Sequence, residues 1–375
     1  MLTPVDAVRH PDPYPYYATL VSERPFAYDE SASAWVASDA RAVTAVLRSA
    51  ECRVRPPAEP VPTGLLGTAA GEVFGDLVRM TDGPVQQRLK RVVVEALLTA
   101  DLGRTAALAA ERTRRVLAAG GEPQLGELMF AVPAQVVAAL CGLDEGADAE
   151  AARLIGDFVQ CIPASATPEQ QRAAAVAAER LRLLLGPRLA QEPTGLLGAL
   201  VGAAGRHDWA ETGPLLANAV GFLSQTYDAT AGLIGNSMLA LRDAALPRSA
   251  DQLADVVREV VRHDAPIQNT RRFAAEPFKH GDALVEPGQP ILLLLAAANR
   301  DPAVNADPHA FRPGRPAPAV FTFGAAAHRC PGENLAVAIT AGVLGELLAG
   351  GFDPSSDLPA EVAYRPLANA RIPVL

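Results

Sequence analysis

The chain has 375 residues, 49% of them hydrophobic and 20% charged, the composition of a globular protein with a substantial core rather than of a disordered or fibrous one. A net charge of -9, a pI near 5.3 and the lack of any Lys or Arg run argue against a nucleic-acid partner, whose backbone requires clustered cations. Length alone leaves one domain or two open, but no repeat and no Ser/Gly linker divides the chain, so a single α-dominated domain over 1–375 is expected.

Met1 to Ala18 carries Pro4, Pro11, Pro13 and Pro15 among polar residues, so neither a signal peptide nor a membrane anchor is expected there, and no apolar stretch elsewhere is expected to reach spanning length. Asp12-Pro-Tyr-Pro-Tyr-Tyr17 reads as a proline-stiffened lead-in, and 34–38 as a short strand ahead of a helix near 39–49. The stretch 52–76 contains Gly64, Gly67 and Gly71 without a sustained period and reads as a long surface loop. Apolar residues at three- and four-residue spacing predict helices near 84–100, 103–118, 127–142, 148–160 and 168–191. Thr167-Pro-Glu-Gln170 marks the last start, with a Thr N-cap, proline at the first helical position and glutamine three residues on. A longer periodic segment, 211–242, has no proline after Pro214 and would extend about 45–50 Å. Ser249-Ala-Asp-Gln252 matches a second capping box, and Leu253, Val256, Val257, Val260 and Val261 then form one apolar stripe. Short strands follow near 271–275, 283–285 and 290–295, with Glu286-Pro-Gly288 turning between the last two.

The four cysteines are far apart and form no C-x-x-C pair, which points to reduced thiols in the cytoplasm and away from structural zinc or a disulfide framework. Cys52, Cys141 and Cys161 read as small buried hydrophobes. Cys330 differs in its surroundings. A strand end at Val320 to Phe323 passes into the small residues Gly324 to Ala327 and then Cys330, after which an apolar-periodic helix runs to about 349. Backbone N–H groups and the positive dipole end of a helix start stabilise a thiolate, the form that ligates iron. Gly324 to Ala327 would let a flat macrocycle lie close to the backbone, and Gly332 would permit a tight turn. A cysteine nucleophile served by His328 is disfavoured, because that histidine is two residues away and no third group orients it.

The string from Phe321 to Gly332 resembles the haem-binding signature of the cytochrome P-450 family. It fits F-x-x-G-x-x-x-C-x-G loosely from Phe321, and the commoner bacterial F-G-x-G-x-H-x-C-x-G from Phe323, matching Phe323, Gly324, His328, Cys330 and Gly332, with Ala326 where glycine is usual. Glu259-Val-Val-Arg262 is similar to the family's E-x-x-R; alone it would be an ordinary ion pair on one helix surface, but the following 263–273 makes the match more specific. Asn299-Arg-Asp-Pro302, Phe311-Arg-Pro-Gly-Arg315 and Asp12-Pro-Tyr-Pro15 extend the likeness over nearly the full length. The resemblance implies a mainly α fold with small β-sheets, a long central helix over the haem, haem b (iron protoporphyrin IX) as cofactor, and Cys330 as axial ligand of the iron. It also implies a network of Glu259 and Arg262 with a third residue, usually arginine, where Ala310 stands here; His309 and Arg312 are the candidate substitutes. Haem propionates are assigned to Arg272, to His328, and to Gln86 and Lys90, which stand where His and Arg are common. Lysine keeps the charge but loses the bidentate fork, and a solvated helix face is the competing reading of Lys90.

Within the long helix the family carries A-G-x-D/E-T-T, an acid and a hydroxyl that deliver protons to dioxygen. Here Asp228 retains the acid, Ala229 replaces the threonine, and Gln225-Thr226 replaces Ala-Gly. Gln225 and Thr226 lie four and three residues before Ala229 and share its face, so either could supply a donor, while Gln225 could equally just narrow the pocket. Thr230 reads by default as a packed helix residue, and an acid such as Asp228 among apolar neighbours more often has a task. By resemblance the protein is a monomeric, cytoplasmic monooxygenase of a small, largely apolar metabolite in secondary metabolism, using dioxygen and electrons from a ferredoxin and its reductase. Ala229 keeps open a peroxide-driven or non-inserting oxidase (coupling or desaturation), and a non-catalytic haem-thiolate binder is the third reading.

Overall fold

The computed structural model describes residues 2–118, 125–163, 165–191, 193–243 and 246–375. The helices are α1 (Tyr14–Glu23), α2 (Ala40–Arg48), α3 (Ala69–Asp76), α4 (Gly83–Leu98), α5 (Leu102–Ala118), α6 (Leu125–Leu140), α7 (Glu145–Val159), α8 (Pro168–Ala190), α9 (Gly195–Arg206), α10 (Thr212–Asp243), α11 (Ala250–His263), α12 (Leu295–Asn299), α13 (Glu333–Ala349) and α14 (Pro354–Asp357). The strands are β1 (Phe26–Asp29), β2 (Ala34–Ala37), β3 (Cys52–Arg53), β4 (Thr270–Ala274), β5 (Phe278–His280), β6 (Ala283–Val285) and β7 (Pro290–Leu293). The expected mainly α fold with small sheets is what forms.

The chain divides into two compact units. One comprises 1–57, 232–330 and 347–375, and it holds the sheet β1-β2-β7-β4-β3. β2 runs parallel to β7 and the other neighbours are antiparallel, which buries Ala37, Ile291 and Leu293 beneath α2 residues Val43 and Val46. A second buried cluster joins Tyr14 and Tyr17 of α1 to Leu292, Ala296 and Ala297. The other unit, 58–231 with 331–346, is helical, with α7 against α6 and α8, α4 against α9, and α5 against α6. Within it Gly342 of α13 lies so close to α5 that a Cβ would come 2.3 Å from the Ala106 carbonyl oxygen, an approach only glycine allows.

Several expectations are corrected. The stretch 52–76 is not one loop: Thr68 accepts from the Gly71 N–H and starts α3, a cap that the glycine count concealed. The lead-in 12–17 enters α1, since Pro15 sits in a first turn whose N–H groups need no helical partner. α9 was not anticipated, its glycines and short length masking the apolar spacing of Leu196, Leu197 and Leu200. Residues 320–323 form no strand. The capping box at Thr167 is complete, whereas at Ser249 the Gln252 side chain accepts from the Arg248 N–H instead. One segment, Ala326–Ala349, is long and apolar enough to cross a membrane by length and composition, contrary to expectation; 44% of its apolar window is buried within the fold.

Candidate active site

The loop before Cys330 is held by two asparagines that the sequence reading did not single out. Asn299, fully buried at the end of α12, accepts from the Phe321 N–H at 2.6 Å through Oδ1 and donates to Thr322 Oγ1 at 2.7 Å through Nδ2. Thr322 passes the chain on, donating to the Val261 carbonyl of α11 at 2.7 Å. Asn305 brackets Ala319 in the same way, donating to its carbonyl and accepting from its N–H at 2.9 and 3.0 Å. Asn299-Arg-Asp-Pro302 was a visible string, but its task depends on a segment twenty residues further on.

Beyond these anchors the chain turns twice in the left-handed region, at Gly324 (φ 66°) and Ala326 (φ 53°), before a 3-10 turn at Ala326–His328. Gly324 donates to the Phe321 carbonyl and Cys330 to the Phe323 carbonyl, each at 2.7 Å. Those bonds set Cys330 half-buried at the loop's end, three residues before the first residue of α13. A Cβ on Gly324 would come 3.3 Å from the His328 carbonyl oxygen on a left-handed backbone, so a side chain there would be crowded and strained. The other thiols are different. Burial pushes Cys141 up to about 12 and Cys52 and Cys161 up to about 11, which keeps them neutral, as expected of buried hydrophobes.

Glu259 and Arg262 of α11 form a sealed pair, Nη2 to Oε1 at 2.6 Å and Nε to Oε2 at 3.1 Å, with side chains 2% and 0% exposed. Arg262 also donates to the carbonyls of Asn299, Pro308 and Ala310, so its charge is fully surrounded by acceptors. Burial would raise the Glu259 carboxyl, but the Arg262 hydrogen bonds and the Arg312 backbone N–H, 3.0 Å from Oε1, bring it below its ordinary value. The third cation is neither His309 nor the Arg312 guanidinium. Arg312 pairs with Asp307 at the exposed surface, and His309 offers its carbonyl to His263. Arg315 fills the place, its Nε 3.5 Å from Glu259 Oε1 and its terminal nitrogens on the carbonyls of Ala306, Asp307 and Ala310. Its signal was the Pro-Gly turn before it, where Gly314 (φ 74°) reverses the chain.

Arg272, on β4 in the same unit as the cysteine loop, is 6% exposed and donates to the Arg271 carbonyl at 2.8 Å and Thr270 Oγ1 at 3.4 Å. Gln86 and Lys90 lie one turn apart on α4 of the other unit, Gln86 buried and Lys90 half-buried. On α10, Gln225 Nε2 donates to the Gly221 carbonyl at 3.0 Å and Thr226 Oγ1 to the Phe222 carbonyl at 2.7 Å, so both donors turn back onto their own helix. Asp228 and Ala229 are half-buried, and Thr230 is buried at 1% exposure, which fits its reading as a packed residue. Gly332 opens α13, its carbonyl accepting from Ala336.

The donor chemistry fits a haem: one sulfur ligand of the kind soft metals take, a run of side chains no larger than methyl beside it, and a nearly buried guanidinium in the same unit for an acid group. A helical fold carrying such a loop defines the haem-thiolate class. The family model described as Cytochrome P-450 matches residues 252–349. Cytochrome P-450 107B1 of Saccharopolyspora erythraea is 28% identical over 267 residues, 68% of this chain and 65% of that protein. The 6-deoxyerythronolide B hydroxylase of the same organism is 28% identical over 70% of this chain and 67% of its own length. The crystal structure of CalO2 superposes with a TM-score of 0.84 at 24% identity, covering 99% of this chain and 96% of that one. The chain is thus similar in sequence to cytochrome P-450 oxidoreductases and has the fold of a solved member of that class.

Proposed function

We propose that the protein is a haem-thiolate monooxygenase that oxidises a small, largely apolar metabolite in secondary metabolism. The observation that carries this reading is the Cys330 loop, whose left-handed turns and Phe323–Cys330 hydrogen bond present one sulfur beside small side chains. A relative named as a hydroxylase of 6-deoxyerythronolide B supports the choice of metabolite hydroxylation. Bound haem b supplies reductive activation of dioxygen, with electrons from a ferredoxin and its reductase in this reading.

The chain's own residues hold and orient. Cys330 provides the thiolate; Phe323, Gly324 and Gly332 shape the turn around it; Arg272, His328, Gln86 and Lys90 are the partners for the propionates. Asp228 is the acid that holds a proton on α10. With alanine at 229 and the donors of Gln225 and Thr226 turned to helix carbonyls, the remaining proton route runs through water or the substrate. We extend the reading to one monomeric, cytoplasmic domain.

The same commitment of donors favours a second reading, in which peroxide drives the oxidation or the product forms by coupling or desaturation without oxygen insertion. The first test is the reduced, carbon-monoxide-treated holoprotein: a strongly red-shifted Soret band is expected, lost in Cys330→Ser, and a wild-type protein without it refutes the haem-thiolate reading. Turnover under isotope-labelled dioxygen then separates the two, since product without the label excludes hydroxylation by dioxygen.

A further inference from the structure

The middle turn of α10 is held differently from the rest of the helix. Residues 221–224 and 230–238 are buried, whereas the five consecutive residues from Gln225 to Ala229, more than one full turn, are each half-buried. Ser224, Gln225 and Thr226 turn their side-chain donors back onto the carbonyls of Gly221 and Phe222, so those donors do not fasten the turn to another helix. Ala229 offers only a methyl group. Tyr227 reaches across to two other helices. Its ring centroid lies 5.0 Å from that of Phe130 on α6, with the planes tilted by 42°. Its hydroxyl end lies over the middle of α7, where a Cβ built on Gly156 would come 2.8 Å from Tyr227 Oη and 3.3 Å from Cζ. All of these residues belong to one compact unit.

A glycine in the interior of a helix is destabilising relative to alanine, so Gly156 calls for a reason. The approach of Tyr227 supplies it. The other glycine of α7, Gly146, has nothing within 4 Å of a built Cβ, whereas Gly156 leaves the clearance that the phenol end occupies. On either side of Gly156, Ile155 and Phe158 are fully buried, which leaves α7 little freedom to slide away. Tyr227 is therefore a stiff wedge, its ring against Phe130 and its tip seated on the α7 backbone. Asp228 is the next residue, so whatever fixes the roll of the helix at 227 fixes it at 228. A roll of about 15° moves a side-chain group about 5 Å from the axis by more than about 1 Å. Misplacement on that scale is enough to cost about a hundredfold in a rate that depends on the group.

We infer that Tyr227 is a positioning residue: wedged between Phe130 and Gly156, it sets the roll of α10 at which Asp228 presents its carboxyl, so the acid works only in register with α7. This rests on the monooxygenase reading, in which Asp228 holds a proton, and adds the contact that places it.

The test uses the purified holoprotein as wild type, Gly156→Ala, Tyr227→Leu and Gly156→Ala/Tyr227→Phe, each with and without Asp228→Asn. Dithionite-reduced protein is mixed with dioxygen-saturated buffer and the return of the ferric Soret band is timed. Gly156→Ala and Tyr227→Leu are each expected to slow that return about tenfold, within what an ångström of misplacement produces. Gly156→Ala/Tyr227→Phe, which takes away the oxygen that meets the new methyl, is expected to return to within about threefold of wild type. With asparagine at 228 the same changes are expected to have no further effect, since they act through the acid. A second readout is the carboxyl carbon-13 resonance of Asp228 in the reduced, carbon-monoxide-treated protein, assigned by its loss in Asp228→Asn. It is expected to be displaced in Gly156→Ala and restored when Tyr227→Phe is added. Should Gly156→Ala fail to fold, Tyr227→Leu carries the test, because it removes the wedge without crowding α7. Effects that add to that of Asp228→Asn, a resonance that stays in place, or no rescue by Tyr227→Phe would each reduce Tyr227 to ordinary packing and overturn the inference. A wild type without the carbon-monoxide band, or an Asp228→Asn variant as fast as wild type, sinks the reading beneath it; a slowed Asp228→Asn that is independent of 156 and 227 sinks only the role of Tyr227.

Discussion

Ala326 sits at φ 53°, a left-handed conformation that costs an L-residue about 1–2 kcal/mol relative to the right-handed region. The family's usual glycine removes that cost but gives back about 0.4–1 kcal/mol through the freer unfolded chain. Ala326→Gly is therefore expected to stabilise by up to about 1 kcal/mol, read as a higher urea midpoint; a lower midpoint would show that the methyl group packs usefully. His263 offers a pH test. Its Nε2 lies 2.9 Å from the His309 carbonyl and its Nδ1 3.0 Å from Arg300 Nη2, so the ring must be neutral, one nitrogen donating and the other accepting. Burial, and next the Arg300 charge, push it down to about 4 from an ordinary 6.5. Between those values the unfolded chain takes up a proton that the folded chain refuses, so stability falls as pH drops through that window and is unaffected above it. From pH 7 to 5 the loss at this site is about 1–2 kcal/mol. His263→Gln, which keeps a donor and an acceptor without titrating, should flatten that part of the profile; an unchanged slope in denaturation at the two pH values would assign it elsewhere.

At the level of elements, α11 exports its charge pair to the 306–315 segment, and the variants of two nearby arginines should separate cleanly. Arg315→Ala removes a nearly buried cation beside Glu259 and takes the Ala306 carbonyl's donor, an expected loss of about 1–3 kcal/mol. Arg312→Ala removes only an exposed pair with Asp307 and should stay within about 0.5 kcal/mol, because its contact with Glu259 is through the backbone. Chemical denaturation of both decides it, and a larger loss for Arg312 would reverse the assignment. The E-x-x-R spacing was readable because three residues on a helix place two side chains together whatever surrounds them. Its third member was not, since a loop brings Arg315 to Glu259 across 56 residues of chain and no local period records that. The helices with long, regular apolar spacing, from α4 to α8 and α10 to α11, were legible for the first reason, and α3 and α9 were hidden by glycines for the second.

On the scale of the whole chain, Arg371 ties the C-terminal segment to the N-terminal one. It donates to Asp264 at 2.9 Å and to the carbonyls of Val8, His10 and Pro11, and its guanidinium lies 3.5 Å from the Tyr364 ring centroid. Arg371→Ala leaves buried acceptors unmet and is expected to cost about 3–5 kcal/mol, with faster amide exchange in the first fifteen residues and near 364–372; protection unchanged in those segments would show the clamp to be redundant. Nothing in either terminus announces this contact. What the sequence determined alone was whatever chemistry is local: the cysteine with its small neighbours ahead of a helix, the helical periods, the complete cap at Thr167, and the missing hydroxyl at 229. Only the tertiary structure decided the partners of buried polar groups, whether Arg315 at Glu259, Asn299 on the cysteine loop, or Arg371 on the carbonyls of Val8, His10 and Pro11. The physical reason is that an apolar period or a cap is satisfied within a few residues, whereas a desolvated charge is satisfied by whichever distant backbone the fold happens to bring within three ångströms.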